Sequence, residues 1–171
     1  MPRVEVVRTF LELNSPDQLR PAPCPDARAR VEKQVHCPVS LYRSLYAEVG
    51  GVYHWVDRRA WTDEEIRAHL AKPEVSILLL MIDDEPAGYS ELVRHDDASV
   101  ELAYFGLRPA FVSRGLGGYL LTVAVREAWS WGPGRVWLHT CSLDHPAAIP
   151  NYLARGFRPF RRDTYEVELP A

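Results

Sequence analysis

Lysine is nearly missing from this 171-residue chain, which carries only Lys33 and Lys72, so arginine supplies almost all of its positive charge. The net charge is −3, without the basic excess of a general nucleic-acid binder. Cysteine is scarce. Cys24, Cys37 and Cys141 are odd in number and form no CxxC pair, which argues against a disulfide framework and a zinc knuckle. Long apolar runs are absent too. The longest, Ile77 to Ile82, is far too short to cross a bilayer. The first residues, Met1 to Leu13, are interrupted by Arg3, Glu5, Arg8 and Glu12 and lack a signal-peptide core, so a cytoplasmic protein that binds no membrane is expected.

What is present suits one soluble domain over residues 1–171, with 47% apolar and 25% charged residues. Val4–Leu13 alternates as a strand does. Asn14–Pro38 holds five prolines (Pro16, Pro21, Pro23, Pro25 and Pro38) and reads as an arm, with at most a short helix around Asp26–Gln34. Residues 1–38 are thus an N-terminal strand plus a Pro-rich arm. Leu41–Val49 reads as a helix stopped by Gly50-Gly51. Thr62 with Glu65 forms a capping-box pattern for a helix to about Ala71. Val75–Ile82, Ala87–Arg94 and Ser99–Leu107 form a strand meander. Gly117–Trp131 is an amphipathic helix whose apolar stripe is Leu116, Leu120, Ala124 and Ala128, with Thr122, Arg126 and Ser130 opposite. A strand over Val136–Cys141, a short helix over Ala147–Arg155 and a strand over Thr164–Leu169 complete the chain. Pro150 predicts a kinked or late-starting helix. The order implies an α+β fold, a mixed, mostly antiparallel sheet flanked by helices.

Val112-Ser113-Arg114-Gly115-Leu116-Gly117-Gly118 lies between a strand and a helix. Glycines let a ligand approach the backbone, and the first helical turn offers free N–H groups behind a positive dipole end. That suits a diphosphate. The loop is not a dinucleotide fingerprint, since Leu120 stands where a third glycine belongs, and it lacks the Gly-Lys-Ser/Thr of a P-loop.

Four segments, in order, resemble the GCN5-related N-acetyltransferase (GNAT) family. Arg114-Gly115-Leu116-Gly117 with Tyr119-Leu120-Leu121 resembles its acetyl-CoA loop. Glu101 to Pro109 resembles its fourth strand, Asp84 to Tyr89 the hairpin between its second and third strands, and Asn151 to Phe157 its Tyr-x-x-x-Gly-Phe signature. The best match covers residues 75–169. Val112 departs from the loop's leading Gln/Arg, and His145 stands where the family has Asn.

The resemblance implies acetyl transfer from acetyl-CoA to an amine, without metal, on a sheet whose fourth and fifth strands splay apart. It implies that Phe105, Gly106, Leu107, Val112 to Gly118 (with Ser113, Arg114, Gly115, Leu116 and Gly117 between them), His145, Ala148, Asn151 and Tyr152 line the coenzyme, the Leu107 amide meeting the acetyl oxygen. Glu101 corresponds to the family's glutamate base, and strand alternation places it on the face of Phe105 and Leu107. Tyr152, four residues before Gly156, corresponds to the acid that serves the leaving thiolate. Tyr53, His54 and Asp57, in an aromatic stretch between two helices, are expected to line a pocket for a small-molecule amine. A peptide amine, or a sensor that binds acyl-CoA without turnover, are the competing expectations. No nucleic-acid partner is expected, and the protein is expected to be a monomer or homodimer. His139, Cys141 and His145 match no zinc spacing, and Cys141 reads as a small buried residue.

Overall fold

The computed structural model describes residues 1–169; Pro170 and Ala171 lie outside the described residues. Seven strands form one sheet: β1 (Arg3–Leu13), β2 (Ala29–Gln34), β3 (Val75–Ile82), β4 (Glu85–Arg94), β5 (Ser99–Leu107), β6 (Arg135–Cys141) and β7 (Arg158–Glu168). Their spatial order is β2-β3-β4-β5-β6-β1-β7. Only β5 and β6 run parallel; every other neighbouring pair is antiparallel. The helices are α1 (Val39–Gly50), α2 (Asp63–Leu70), α3 (Leu116–Ser130) and α4 (Ala148–Ala154).

The core has two sides. On one, α3 buries Leu121, Ala124, Val125 and Ala128 against Leu92, Leu102, Val136 and Leu138 of the sheet and Leu11 and Leu13 of β1. On the other, Tyr42, Leu45 and Val49 of α1 and Ile66 of α2 cover Ile77, Leu79 and Tyr89. Each fully buried side chain of this size stabilises by roughly 1.5–3 kcal/mol relative to exposure, so both helix layers are pinned to the sheet. Thr62 caps α2 reciprocally with Glu65, as the capping-box pattern predicts.

The arm departs from expectation. Residues 29–34 form β2, paired along its whole length with β3, not a helix. Val31, Lys33 and their neighbours alternate too weakly to announce a strand; the free edge of β3, apolar from Ile77 to Ile82, selects the extended form. Thr122 is also buried, not opposite the core. It donates to Gly118 O at 2.8 Å and accepts from the Ala22 N–H at 2.9 Å, because the Pro-rich arm covers that side of α3. The arm continues over α4, where the Arg20 N–H donates to Arg155 O at 2.9 Å. The helix over 148–154 begins just before Pro150, which therefore sits in the first turn, where its missing N–H breaks no intrahelical bond.

Two features shape the site. First, β5 and β6 pair only at Ser99–Arg135, Val100–Val136 and Glu101–Trp137, then part. Second, the β4–β5 register slips between Glu91 and Leu92, leaving Ala103 as the extra residue on β5.

Candidate active site

The fork between β5 and β6 opens into a cavity of about 680 Å³. Glu101 stands at its apex, the last β5 residue paired with β6. Beyond it, the Arg108 N–H donates to Ala87 O at 2.8 Å. By the alternation of an antiparallel ladder, the amides of Phe105 and Leu107 then point away from β4 into the fork.

The bulge at Ala103 corrects the alternation argument for Glu101. Phe105 and Leu107 share a face with the α3 core, as does Leu102. Glu101 and Tyr104 therefore face the other side, with Val93 and Glu91 of β4. The carboxylate still borders the cavity. Its Oε1 lies 2.8 Å from His95 Nε2, and its Oε2 lies 3.9 Å from His139 Nε2 across the fork.

The glycine loop forms the cavity's far wall. Ser113 and Gly115 adopt left-handed backbone (φ 65° and 75°), and no side chain caps α3 at Gly115. The first-turn N–H groups are left for a ligand. Val112, Ser113, Gly117 and Gly118 line the cavity. Three expected coenzyme contacts do not. Arg114 turns to the Phe111 ring (5.4 Å) and Asp26 (3.9 Å). Gly115 supplies the turn, and its position meets Pro25 of the arm. Leu116 buries its side chain in the core with Leu120 and Phe111, leaving only its backbone for the loop.

Opposite, Ala148, Asn151 and Tyr152 of α4 border the cavity, with His145 before them. Gly117 is close to Asn151, whose Nδ2 lies 3.5 Å from where a Cβ would be. The Tyr152 ring packs edge-on to Phe105 (6.1 Å) and Phe157 (6.0 Å). Burial, then the nearby Asp144 carboxylate, push the Tyr152 phenol well above the ordinary tyrosine range. Asp144 is itself held by Thr140 Oγ1 (2.5 Å) and the Cys141 N–H (2.9 Å). Cys141 borders the cavity and is half-buried; burial raises its thiol pKa, which disfavours thiolate chemistry. Among the described residues no group of three or more His, Cys, Asp or Glu side chains is arranged for a metal ion.

Tyr53, His54 and Asp57 all border the cavity. Tyr53 reaches across to His145 (5.9 Å, edge-on), so the segment after α1 roofs the cavity. Asp57 accepts from the Tyr104 hydroxyl at 3.3 Å. Sequence reasoning missed what stands behind them. Glu91, fully buried, accepts from the Tyr42 hydroxyl at 2.7 Å and from Arg58 Nη1 at 2.6 Å, and lies 3.2 Å from His69 Nε2. Burial favours the neutral acid, but the hydrogen bonds and charge of His69, Arg58 and Tyr42 outweigh it and hold the Glu91 carboxyl below the usual range. A glutamate in the buried middle of β4, between Tyr89 and Leu92, was the available signal.

A coenzyme with a diphosphate and a long thin arm fits these residues: uncapped amides at the loop, small side chains at Gly117 and Ala148, and a fork with free amides beyond. The sequence model of the Acetyltransferase (GNAT) family matches residues 40–157. A mycothiol acetyltransferase from Corynebacterium efficiens is 29% identical over 109 residues, covering 61% of this chain and 36% of that protein. A GCN5-related N-acetyltransferase from Kribbella flavida superposes with a TM-score of 0.69 at 18% identity, over 96% of this chain and 58% of that one. An aminoglycoside acetyltransferase from an uncultured soil metagenomic sample, in complex with sisomicin, gives 0.59 at 11% identity, over 75% and 86%. The chain thus spans about a third of the curated relative's length and little more than half of the Kribbella chain.

Proposed function

The chain belongs to the Acetyltransferase (GNAT) family, and on that premise we propose that it transfers an acetyl group from acetyl-CoA to a primary amine of a small molecule. The observation that carries this reading is the fork itself. Glu101 at its apex, the outward amides of Phe105 and Leu107, Tyr152 and the uncapped loop all border one cavity. The compounds in two relatives' names, mycothiol and an aminoglycoside, are small molecules.

Each group has a task set by chemistry. An alkyl amine with a pKa near 10.4 arrives as ammonium and has no lone pair until a base removes a proton. Glu101 takes it, with His95 as the neighbour through which the proton passes toward solvent. The Leu107 N–H donates to the carbonyl oxygen as negative charge develops there. Burial keeps the Tyr152 hydroxyl protonated at neutral pH but also weakens it as an acid, so from the general-acid position it serves the departing sulfur chiefly by hydrogen bonding to the developing thiolate. Val112, Ser113, Gly117 and Gly118, with Asn151, hold and orient the coenzyme, whose thioester supplies the activated acyl group. The residues 53–57 close over the amine and exclude water.

The test is a panel of small amines mixed with protein and acetyl-CoA, read as free-thiol release. Acceptor-dependent release with N-acetylated product is expected. Saturable coenzyme binding with no release for any amine, peptide amines included, would contradict the assignment.

A further inference from the structure

Arg58 uses only one of its nitrogens to hold the protein together. Its Nη1 donates to both oxygens of Glu91 at 2.6 Å and to the Tyr42 hydroxyl. Among the described residues Nε and Nη2 have no acceptor, and neither is sealed from solvent. The side chain is 12% exposed, with Glu91 buried behind it. Its guanidinium lies 4.6 Å from the Tyr104 ring centre and 4.8 Å from that of Trp61. Arg58 borders the same cavity as Glu101. Arg58 thus lines the cavity with two donors unused, on the same side of β5 as Glu101.

A planar guanidinium edge with two parallel N–H donors matches a carboxylate in geometry, where a lysine offers a point charge. Glu91 already neutralises one positive charge at the site, and Asp57 stands beside Tyr104 as a second acid. With Arg58 already neutralised by Glu91 and Asp57 nearby, no surplus positive charge remains, so recognition of a carboxylate rests on the two N–H donors, and the two negative charges of a phosphate monoester are opposed. Tyr104, over which Arg58 lies, pairs with Glu91 where Glu101 pairs with Val93, two positions apart on β4 and so roughly 7 Å at about 3.3 Å per residue.

We propose that the acceptor is an amino carboxylate whose carboxylate docks on the Nε–Nη2 edge of Arg58 while its amine, several bonds away, reaches Glu101 at the fork. This rests on the acetyltransferase reading of the cavity. Arg58 then sets acceptor choice, and Glu91, Tyr42 and His69 are positioning residues that aim it.

The experiment uses matched pairs of amines that differ only in the carboxylate: 6-aminohexanoate with pentylamine, and lysine with cadaverine. Binding is measured by calorimetry in the presence of CoA, and kcat/KM by thiol release, for the wild-type chain and for Arg58→Lys. The lysine variant keeps a cation against Glu91 and removes the two-donor edge. In the wild type the carboxylate member of at least one pair should bind 10-fold or more tighter than its partner. In Arg58→Lys that ratio should collapse toward one, with the change in turnover residing in KM. Equal affinity within both pairs, or a preference that survives Arg58→Lys, overturns the inference. Carboxylate-selective binding without thiol release would instead uphold this subsite and overturn the acetyltransferase reading.

Discussion

Glu101 and His95 meet across the β4–β5 turn, carboxylate Oε1 to imidazole Nε2 at 2.8 Å, at the point where β5 leaves β6. The carboxylate is 14% exposed and the imidazole 40%, so the pair links the cavity to solvent. Replacing Glu101 with Gln preserves the shape and removes the base. The rate should drop about 10²-fold, the low end of what a positioned base contributes. The rise of kcat/KM with pH that reports deprotonation of this group should flatten. A pH–rate profile that keeps its acid limb in Glu101→Gln would assign deprotonation to another group.

Tyr152→Phe removes one hydroxyl from a well-packed ring. Acetyl-CoA affinity should stay within about 2-fold, while kcat falls by 10-fold or more, since the interaction is made as the sulfur departs. Calorimetry and steady-state kinetics on one preparation separate the two. An unchanged kcat would leave Tyr152 a packing residue only.

Glu91 ties α1, α2 and the 54–61 segment to β4. Breaking a buried pair from one side leaves its partner uncompensated, at a cost of about 3–5 kcal/mol. Glu91→Ala should therefore lower the unfolding free energy by about that much in denaturant titration. The folded-state pKa of Glu91 is depressed below its unfolded value. Its contribution is thus complete above the ordinary carboxylate range and is lost as pH falls below roughly 4.5 toward the folded value. Wild-type stability should decline through that window, and Glu91→Gln should decline less steeply.

Gly156 has φ of 100°, and a Cβ there would lie 2.0 Å from Gln18 O in the arm. Gly156→Ala combines left-handed strain, about 1–3 kcal/mol, with a backbone collision. The melting temperature should fall, by roughly 2–4 °C per kcal/mol for a chain of this size. Gly132→Ala, at φ 72° with nothing near its would-be Cβ, should fall less.

Much of this was legible in the residues. Val75–Ile82 and Ser99–Leu107 announce themselves because apolar runs bounded by turn residues have one plausible form, and the structure reproduces both strands at those bounds. Thr62 with Glu65 marks its helix because the cap is local chemistry. Val112, Ser113, Gly117 and Gly118 of the glycine loop border one cavity with Tyr53, His54 and Asp57, an arrangement that the family resemblance implies and composition alone does not. What stayed hidden depends on partners distant in sequence. β2 forms because β3 presents an unpaired edge, and β1 lies between β6 and β7, an arrangement that no local pattern encodes. One extra residue at Ala103 turns Glu101 to the face opposite Phe105, and a bulge without glycine or proline leaves no mark in the alternation. The Glu91 cluster draws on four separate segments, so no spacing reveals it.

The account's centre is the loop from Val112 to Gly118, whose bare backbone donors are assigned to the coenzyme's diphosphate. Titration of the protein with acetyl-CoA by isothermal calorimetry, repeated with S-acetylpantetheine, which lacks the nucleotide and diphosphate, tests it most directly. Saturable one-site binding of acetyl-CoA, weakened by 10-fold or more in the truncated thioester, is the predicted result. No heat from acetyl-CoA, or equal affinity for the two, would contradict the account.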